Sequence, residues 1–193
     1  MRFRILHYDT LISTNDSAKE LAEAGAGEGT VVLADYQTRG RGQFRRRWHS
    51  PKGKDLLFSI IVRPAALRAN AVSLTTQIAA MSVRDALQRE FDLPSKIKRP
   101  NDILVDGRKI CGILVEGSTR SNTVEYLIVG IGININSAPK ELVRGATSLC
   151  AQLGKEQDRE GILKALLRAF DVQYAQFLAL YNQKKGAEEL VEK

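Results

Sequence analysis

Residues 98–116 read KRPNDILVDGRKICGILVE. Asp106-Gly107 stands between two apolar runs, a strong short-range signal for a two-residue hairpin turn. With those residues as the turn, Val105 pairs with Arg108, Leu104 with Lys109, and Asp102 with Cys111. Side chains alternate along a strand, so Asp102, Leu104, Lys109 and Cys111 are expected on one face. Asp102 and Lys109 become diagonal neighbours, about 7–8 Å apart at the backbone. That spacing admits an anion. Lys109 could hold a phosphate or carboxylate oxygen, and Asp102 a hydrated magnesium ion on the same phosphate. It equally suits an ordinary solvated ion pair. Pro100 keeps Arg99 out of the helical region, so the hairpin is entered from an extended segment.

The rest of the chain reads as more strands with few helices. Arg2 to Tyr8, Thr30 to Tyr36, Leu56 to Val62 and Thr123 to Asn136 have strand character, as does Ser95 to Glu116 around the hairpin. Ser13-Thr14-Asn15-Asp16 is a cluster of helix-capping residues, followed by Ala18, Leu21 and Ala22 at helical spacing until Gly25 and Gly27. From Ala71 to Arg89, apolar and small positions follow a helical period, and Ala79, Ser82 and Ala86 suit close approach to a sheet. Leu163, Leu166, Leu167, Phe170, Tyr174, Phe177, Leu178 and Tyr181 form one apolar face of a long final helix, with a charged stub expected after Gly186. The layout predicts an α+β fold: a mixed, largely antiparallel sheet with helices packed on it. One domain is expected over 1–185, with 186–193 as a charged tail.

The stretch LIVGIGININ, 127–136, alternates in a second way. Val129, Ile131, Ile133 and Ile135 point to one side, and Gly130, Gly132, Asn134 and Asn136 to the other. Glycine weakens a strand interior unless something approaches the backbone closely. The glycine face suits a flat ring read at its edge by Asn134, or a helix lying over it.

Composition bounds the partners. The 193 residues are 44% hydrophobic and 26% charged, as in ordinary globular domains. No apolar run approaches a membrane span, and MRFRILHYDTLISTND turns polar too soon for a secretory signal. Cys111 and Cys150 have no metal-type neighbours, and His7 and His49 are the only histidines. They read as reduced, buried thiols of a cytoplasmic protein, with no zinc site indicated.

The net charge of +7 arises from 29 Lys and Arg against 22 Asp and Glu. Residues 38–54, TRGRGQFRRRWHSPKGK, contain seven basic residues and no acid, so without them the charges balance. Such a loop could neutralise nucleic-acid phosphates, with Phe44 or Trp48 stacking a base. It could be a solvated charge run. It could also close over a small phosphorylated ligand, with Gly40 and Gly42 presenting backbone N–H groups. Neither a P-loop nor a dinucleotide fingerprint is present.

Taken together, STN at 13–15, DYQTRGRGQFRRRWHSPKG at 35–53, KRPND at 98–102, GRKICGILVE at 107–116 and VGIGININ at 129–136 resemble the biotin protein ligases. The similarity covers about residues 5 to 180. The resemblance implies the catalytic fold shared with lipoate ligases and class II aminoacyl-tRNA synthetases. It also implies a two-step reaction in which biotin and ATP give biotinyl-adenylate, and a lysine of a biotin carboxyl carrier domain then takes the biotin. Lipoate or octanoate ligation is the alternative on the same fold, and an RNA-binding module is the alternative from another class.

By matching position, Ser13, Thr14, Asn15 and Gln37 are implied as biotin-head contacts. Gly40, Arg41, Gly42 and Gln43 are implied as the loop that folds over the ligand, with Gly112 also in the biotin set. Lys109 and Arg41 are the implied catalytic cations, Lys109 bridging the biotin carboxylate and the α-phosphate. Arg46, Trp48, Asn101, Asp102 and Asn134 are implied as ATP contacts, Asp102 with magnesium. A monomer or a homodimer is expected, with neither DNA nor membrane as a partner.

Three departures from the family pattern stand out. Arg99 replaces the usual tryptophan of K-W-P-N-D, exchanging an apolar contact for a cation. Gln43 stands where an arginine often follows G-R-G, which is expected to loosen the hold on the adenylate. The sequence given has no stretch for the small β-barrel domain common after the catalytic domain, nor for the DNA-binding helices of bifunctional members, so repressor function is not expected.

Overall fold

The structure, a computed structural model, describes residues 1–65 and 67–191. Its strands are β1 (Arg4–Leu11), β2 (Thr30–Gln37), β3 (Leu56–Val62), β4 (Lys96–Lys98), β5 (Asp102–Val105), β6 (Arg108–Arg120) and β7 (Thr123–Ile133). Its helices are α1 (Thr14–Glu23), α2 (Val72–Phe91), α3 (Leu149–Leu153) and α4 (Arg159–Val191). The strands form one seven-stranded sheet in the order β1-β2-β3-β7-β6-β5-β4. Among the described strands only β1 and β2 pair in parallel, and α1 makes the crossover that a parallel pair requires. Every other pairing is antiparallel, so the expected mixed sheet is found.

Two hairpins dominate the centre. Asp106 and Gly107 have φ of 48° and 73°, and Ser121 and Asn122 have 47° and 64°. Two consecutive left-handed residues make the turn whose twist matches that of paired strands. The β5–β6 register begins as the sequence predicts, with Val105 opposite Arg108 and Leu104 opposite Lys109. It then departs. Ile103 pairs with Cys111 and Asp102 with Gly112, because Ile110 is inserted as a bulge. Neighbouring backbone satisfies the bulge. Asn134 N–H donates to the Ile110 carbonyl at 2.9 Å, and Lys109 exchanges bonds with Gly145 and Thr147. Ile110 and Cys111 therefore both turn into the core, fully buried. Cys111 does not share the Lys109 face, and Gly112 takes its place.

Helices cover both faces. Val31, Phe58, Ile60, Val129, Ile131 and Ile133 pack beneath α2 and α4 with Val83, Leu87, Leu163, Leu166 and Phe170. Ala79, Ser82 and Ala86 are buried there, as their small size predicts. On the other face, Ala18 and Ala22 of α1 pack on Val32, Ile61, Tyr126 and Ile128. Helix α4 runs through Gly186 to Val191, where the sequence suggests a stub. One glycine costs a helix only about 1 kcal/mol, and the residues after it are good helix formers. Glu192 and Lys193, the end of the expected tail, lie outside the described residues. No helix among the described residues is long and apolar enough to cross a membrane.

Candidate active site

The site lies on the α1 face of the sheet, where β6 and β7 expose Gly112, Gly130 and Gly132. A Cβ on Gly130 would overlap Asn15 Oδ1; one on Gly132 would come 2.6 Å from the Trp48 ring, and one on Gly112 2.9 Å. The glycine floor thus holds flat groups, as its pattern suggests, but they are the protein's own amide and indole. The inner cavity is about 180 Å³ and opens into a broad mouth.

At one end is a nest of hydroxyls and amides. Gln37 Oε1 accepts from the Thr14 backbone N–H at 2.7 Å and from its hydroxyl at 3.1 Å. Ser59 Oγ lies 2.8 Å from Thr14 Oγ1 and 2.7 Å from Asn15 Oδ1. Asn15 Nδ2 donates to the Leu114 carbonyl and, at 2.7 Å, to Glu116 Oε2. Asn15 is therefore engaged on every side by protein groups, whereas Ser13 and Gln37 line the cavity with the Gln37 amide nitrogen, close to Gly40, unpaired among the described residues. Ser59, one hydroxyl in the apolar run LLFSIIV, escapes a sequence reading that treats the strand as core.

At the other end Lys109 Nζ lies 2.6 Å from Asp102 Oδ1 and 5.5 Å from the Trp48 ring centroid. The two side chains thus meet directly as an ion pair from diagonal positions on the hairpin. Asn101 donates its amide to the Ile113 carbonyl at 2.8 Å, which fixes the entry to β5. Asn134 is 4% exposed, donates to the Thr147 carbonyl at 2.9 Å and does not line the cavity. Burial pushes the Cys111 thiol up, so it is not a nucleophile. Cys150 is half-buried rather than buried. Among the described residues no cluster of three metal-ligating side chains exists.

The arginine loop arches over the cavity. Arg41 bridges Arg47, Gly42 N–H donates to the Arg46 carbonyl at 2.8 Å, and Trp48 N–H donates to the Gly40 carbonyl at 2.9 Å. The Gly42 N–H is thus engaged inside the loop. Gly40 is required by crowding, since a Cβ there would meet the Trp48 carbonyl at 2.7 Å. Arg41 reaches across the mouth with both terminal nitrogens on Glu116 at 2.7 Å and one on Asp16 at 2.6 Å. Hydrogen bonding to Glu116, then its charge and that of Asp16, hold the Arg41 pKa above its ordinary value. Arg39, Arg46 and Arg47 line the mouth without an ion pair among the described residues. Phe44 is left-handed at φ 55° and 83% exposed, and Gln43 lines both spaces. Arg99 is exposed and lines neither.

A profile of the biotin/lipoate A/B protein ligase family matches residues 9–134. The chain belongs to this family. Among biotin/lipoate ligase relatives, the bifunctional ligase/repressor BirA of Bacillus subtilis is 39% identical over 178 residues, 90% of this chain and 54% of that protein. The biotin–[acetyl-CoA-carboxylase] ligase of Mycobacterium tuberculosis is 31% identical over 86% of this chain and 62% of its own. The chain thus spans little more than half the length of these relatives. The solved biotin protein ligase of Aquifex aeolicus in complex with biotin and ATP superposes with a TM-score of 0.77 at 32% identity, over 91% of this chain and 72% of that one. The sheet and its helices are those of the biotin protein ligase catalytic fold.

Proposed function

We propose that this chain is the catalytic domain of an ATP-dependent biotin protein ligase, which makes biotinyl-5′-AMP and transfers biotin to a lysine of a biotin carboxyl carrier domain. One observation carries the reading: a polar nest suited to a cyclic urea and a lysine suited to a carboxylate and phosphate lie on one glycine floor. Ser13 and Gln37 offer donors and an acceptor for the ureido group. Lys109 stands where the biotin carboxylate would meet the α-phosphate.

In the first step a carboxylate oxygen attacks the α-phosphorus and pyrophosphate leaves. Two anions must meet, so Lys109 and the arginine loop act by neutralising charge that develops between them. Arg46 and Arg47 are the loop arginines available to the polyphosphate, since both line the cavity without an ion pair among the described residues. Trp48 lies on the glycine floor with a buried indole N–H that has no protein partner, which a ligand group could take up. In the second step the acceptor amine attacks the acyl carbon, AMP leaves and the amine loses a proton. The loop's task is then to keep water off the anhydride. A magnesium ion would be held by Asp102 together with ATP phosphates, offsetting phosphate charge. A lone carboxylate fits an ion that arrives with its nucleotide.

The nest disfavours lipoate. A dithiolane ring would leave Ser13 and the Gln37 amide without partners, and unpaired buried polar groups reject a ligand strongly. Incubation with biotin, Mg-ATP and a carrier domain, read by streptavidin blot, tests the proposal. Labelling that requires both ATP and Lys109 is expected. Tight, salt-sensitive RNA binding without labelling would favour the RNA-binding reading. Cytoplasmic residence and a monomer or homodimer accompany the proposal.

A further inference from the structure

We propose that Glu116 is a positioning residue that couples occupation of the polar nest to closure of the arginine loop. The proposal deepens the biotin-ligase reading and rests on it for the identity of the nest's ligand.

A continuous chain of hydrogen bonds joins the two regions. It runs from Gln37 through Thr14, Ser59 and Asn15 to Glu116, and from there to Arg41. The link at Ser59 has two arrangements. Its hydroxyl carries one proton but faces two acceptors, Thr14 Oγ1 at 2.8 Å and Asn15 Oδ1 at 2.7 Å. A ligand N–H accepted by the Thr14 oxygen competes there with the Ser59 proton and favours the arrangement in which Ser59 donates to Asn15 Oδ1. That fixes the Asn15 amide, whose other end donates to Glu116. Gly130 exists at its position to make room for this bridge, because a side chain there would overlap Asn15 Oδ1.

Glu116 is the end of the chain that meets the loop. One carboxylate accepts from Asn15 and takes both terminal nitrogens of Arg41, a paired geometry that fixes direction as well as distance. Asp16 adds a second acid to the same guanidinium but makes no hydrogen bond to the Asn15 side chain. The strap therefore has one member that transmits and one that only holds.

The test is trypsin cleavage within residues 38–54, followed by peptide mass, with biotinol as the probe. Biotinol has the cyclic urea but no carboxylate, so it can fill the nest without being adenylated. In the wild type the probe is expected to slow loop cleavage about fivefold, the scale of one strengthened ion-pair contact. In Glu116→Gln the shape remains, but an amide N–H₂ faces donors. The probe should still bind by calorimetry, and loop protection should be lost. In Asp16→Asn basal cleavage should rise while protection by the probe persists. The proposal is overturned if Glu116→Gln is protected like the wild type, or if Asp16→Asn loses protection equally. If the wild type does not bind biotinol, the biotin reading fails on its own. Ligand-free cleavage then decides the strap: faster in Glu116→Gln supports it, and unchanged overturns it.

Discussion

Gln37 illustrates how a single residue carries specificity. Its Oε1 is fixed by two bonds from Thr14, which leaves the amide nitrogen as the donor a ligand could use. Gln37→Leu keeps the volume but removes the donor. The KM for biotin is expected to rise about tenfold, with a smaller change in kcat, because the lost bond is made in ground and transition states alike. Steady-state kinetics of pyrophosphate release would measure this. Cys111 makes a different prediction. Burial raises its thiol pKa, so above about pH 8.5 the unfolded chain loses a proton that the folded chain keeps. Stability contributed by the neutral thiol is therefore present below that pH and lost as pH rises. Melting scans from pH 8 to 10 should show a steeper decline in the wild type than in Cys111→Ala. At this scale the sequence shows which residue types gather, including Ser13, Gln37, Lys109 and Asp102. It does not show that Asn15 and Asn134 have their amides engaged by protein, because those partners are distant in the chain.

Among elements, the β5–β6 hairpin decides the site. Its turn is legible because Asp-Gly satisfies two left-handed positions locally. Its bulge is not legible, because Ile110 is held out of register by Asn134, and Lys109 by Gly145 and Thr147, all far along the chain. The consequence is a changed partner for Lys109 on its own face: Gly112 instead of Cys111, and room for Trp48. Gly107→Val places a β-branched residue at φ 73° and should destabilise the fold by about 1–3 kcal/mol, measured by urea unfolding. Asp106→Asn, which tolerates the left-handed region, should be nearly neutral in the same assay. The final helix shows the opposite limit of local reading: Gly186 does not stop it.

For the whole molecule, the α+β class follows from the count and character of the segments, but the strand order does not. β3 sits beside β7, which follows it by more than sixty residues, and only packing between distant segments makes that choice. The separation of faces then gives the charge its meaning. Arg41 is neutralised by Asp16 and Glu116, Lys52 pairs with Asp9 and Lys54 with Glu156. Arg39, Arg46 and Arg47 are left around the mouth. The excess positive field therefore points at the place where ATP would enter. The KM for ATP should rise between 0.05 and 0.5 M salt, roughly the range over which the screening length falls from above to below 10 Å, while the Kd of uncharged biotinol, read by calorimetry, is not affected. An equal effect on both would locate the field elsewhere.

The nest and Lys109 are proposed to activate biotin together. The most direct measurement is mass detection of the acyl-adenylate after incubation with Mg-ATP and either biotin or lipoate. Biotinyl-AMP is expected from the wild type, with little lipoyl-AMP, and at least about a hundredfold less biotinyl-AMP from a folded Lys109→Ala variant. Preference for lipoate, or full activity in Lys109→Ala, would contradict the proposal.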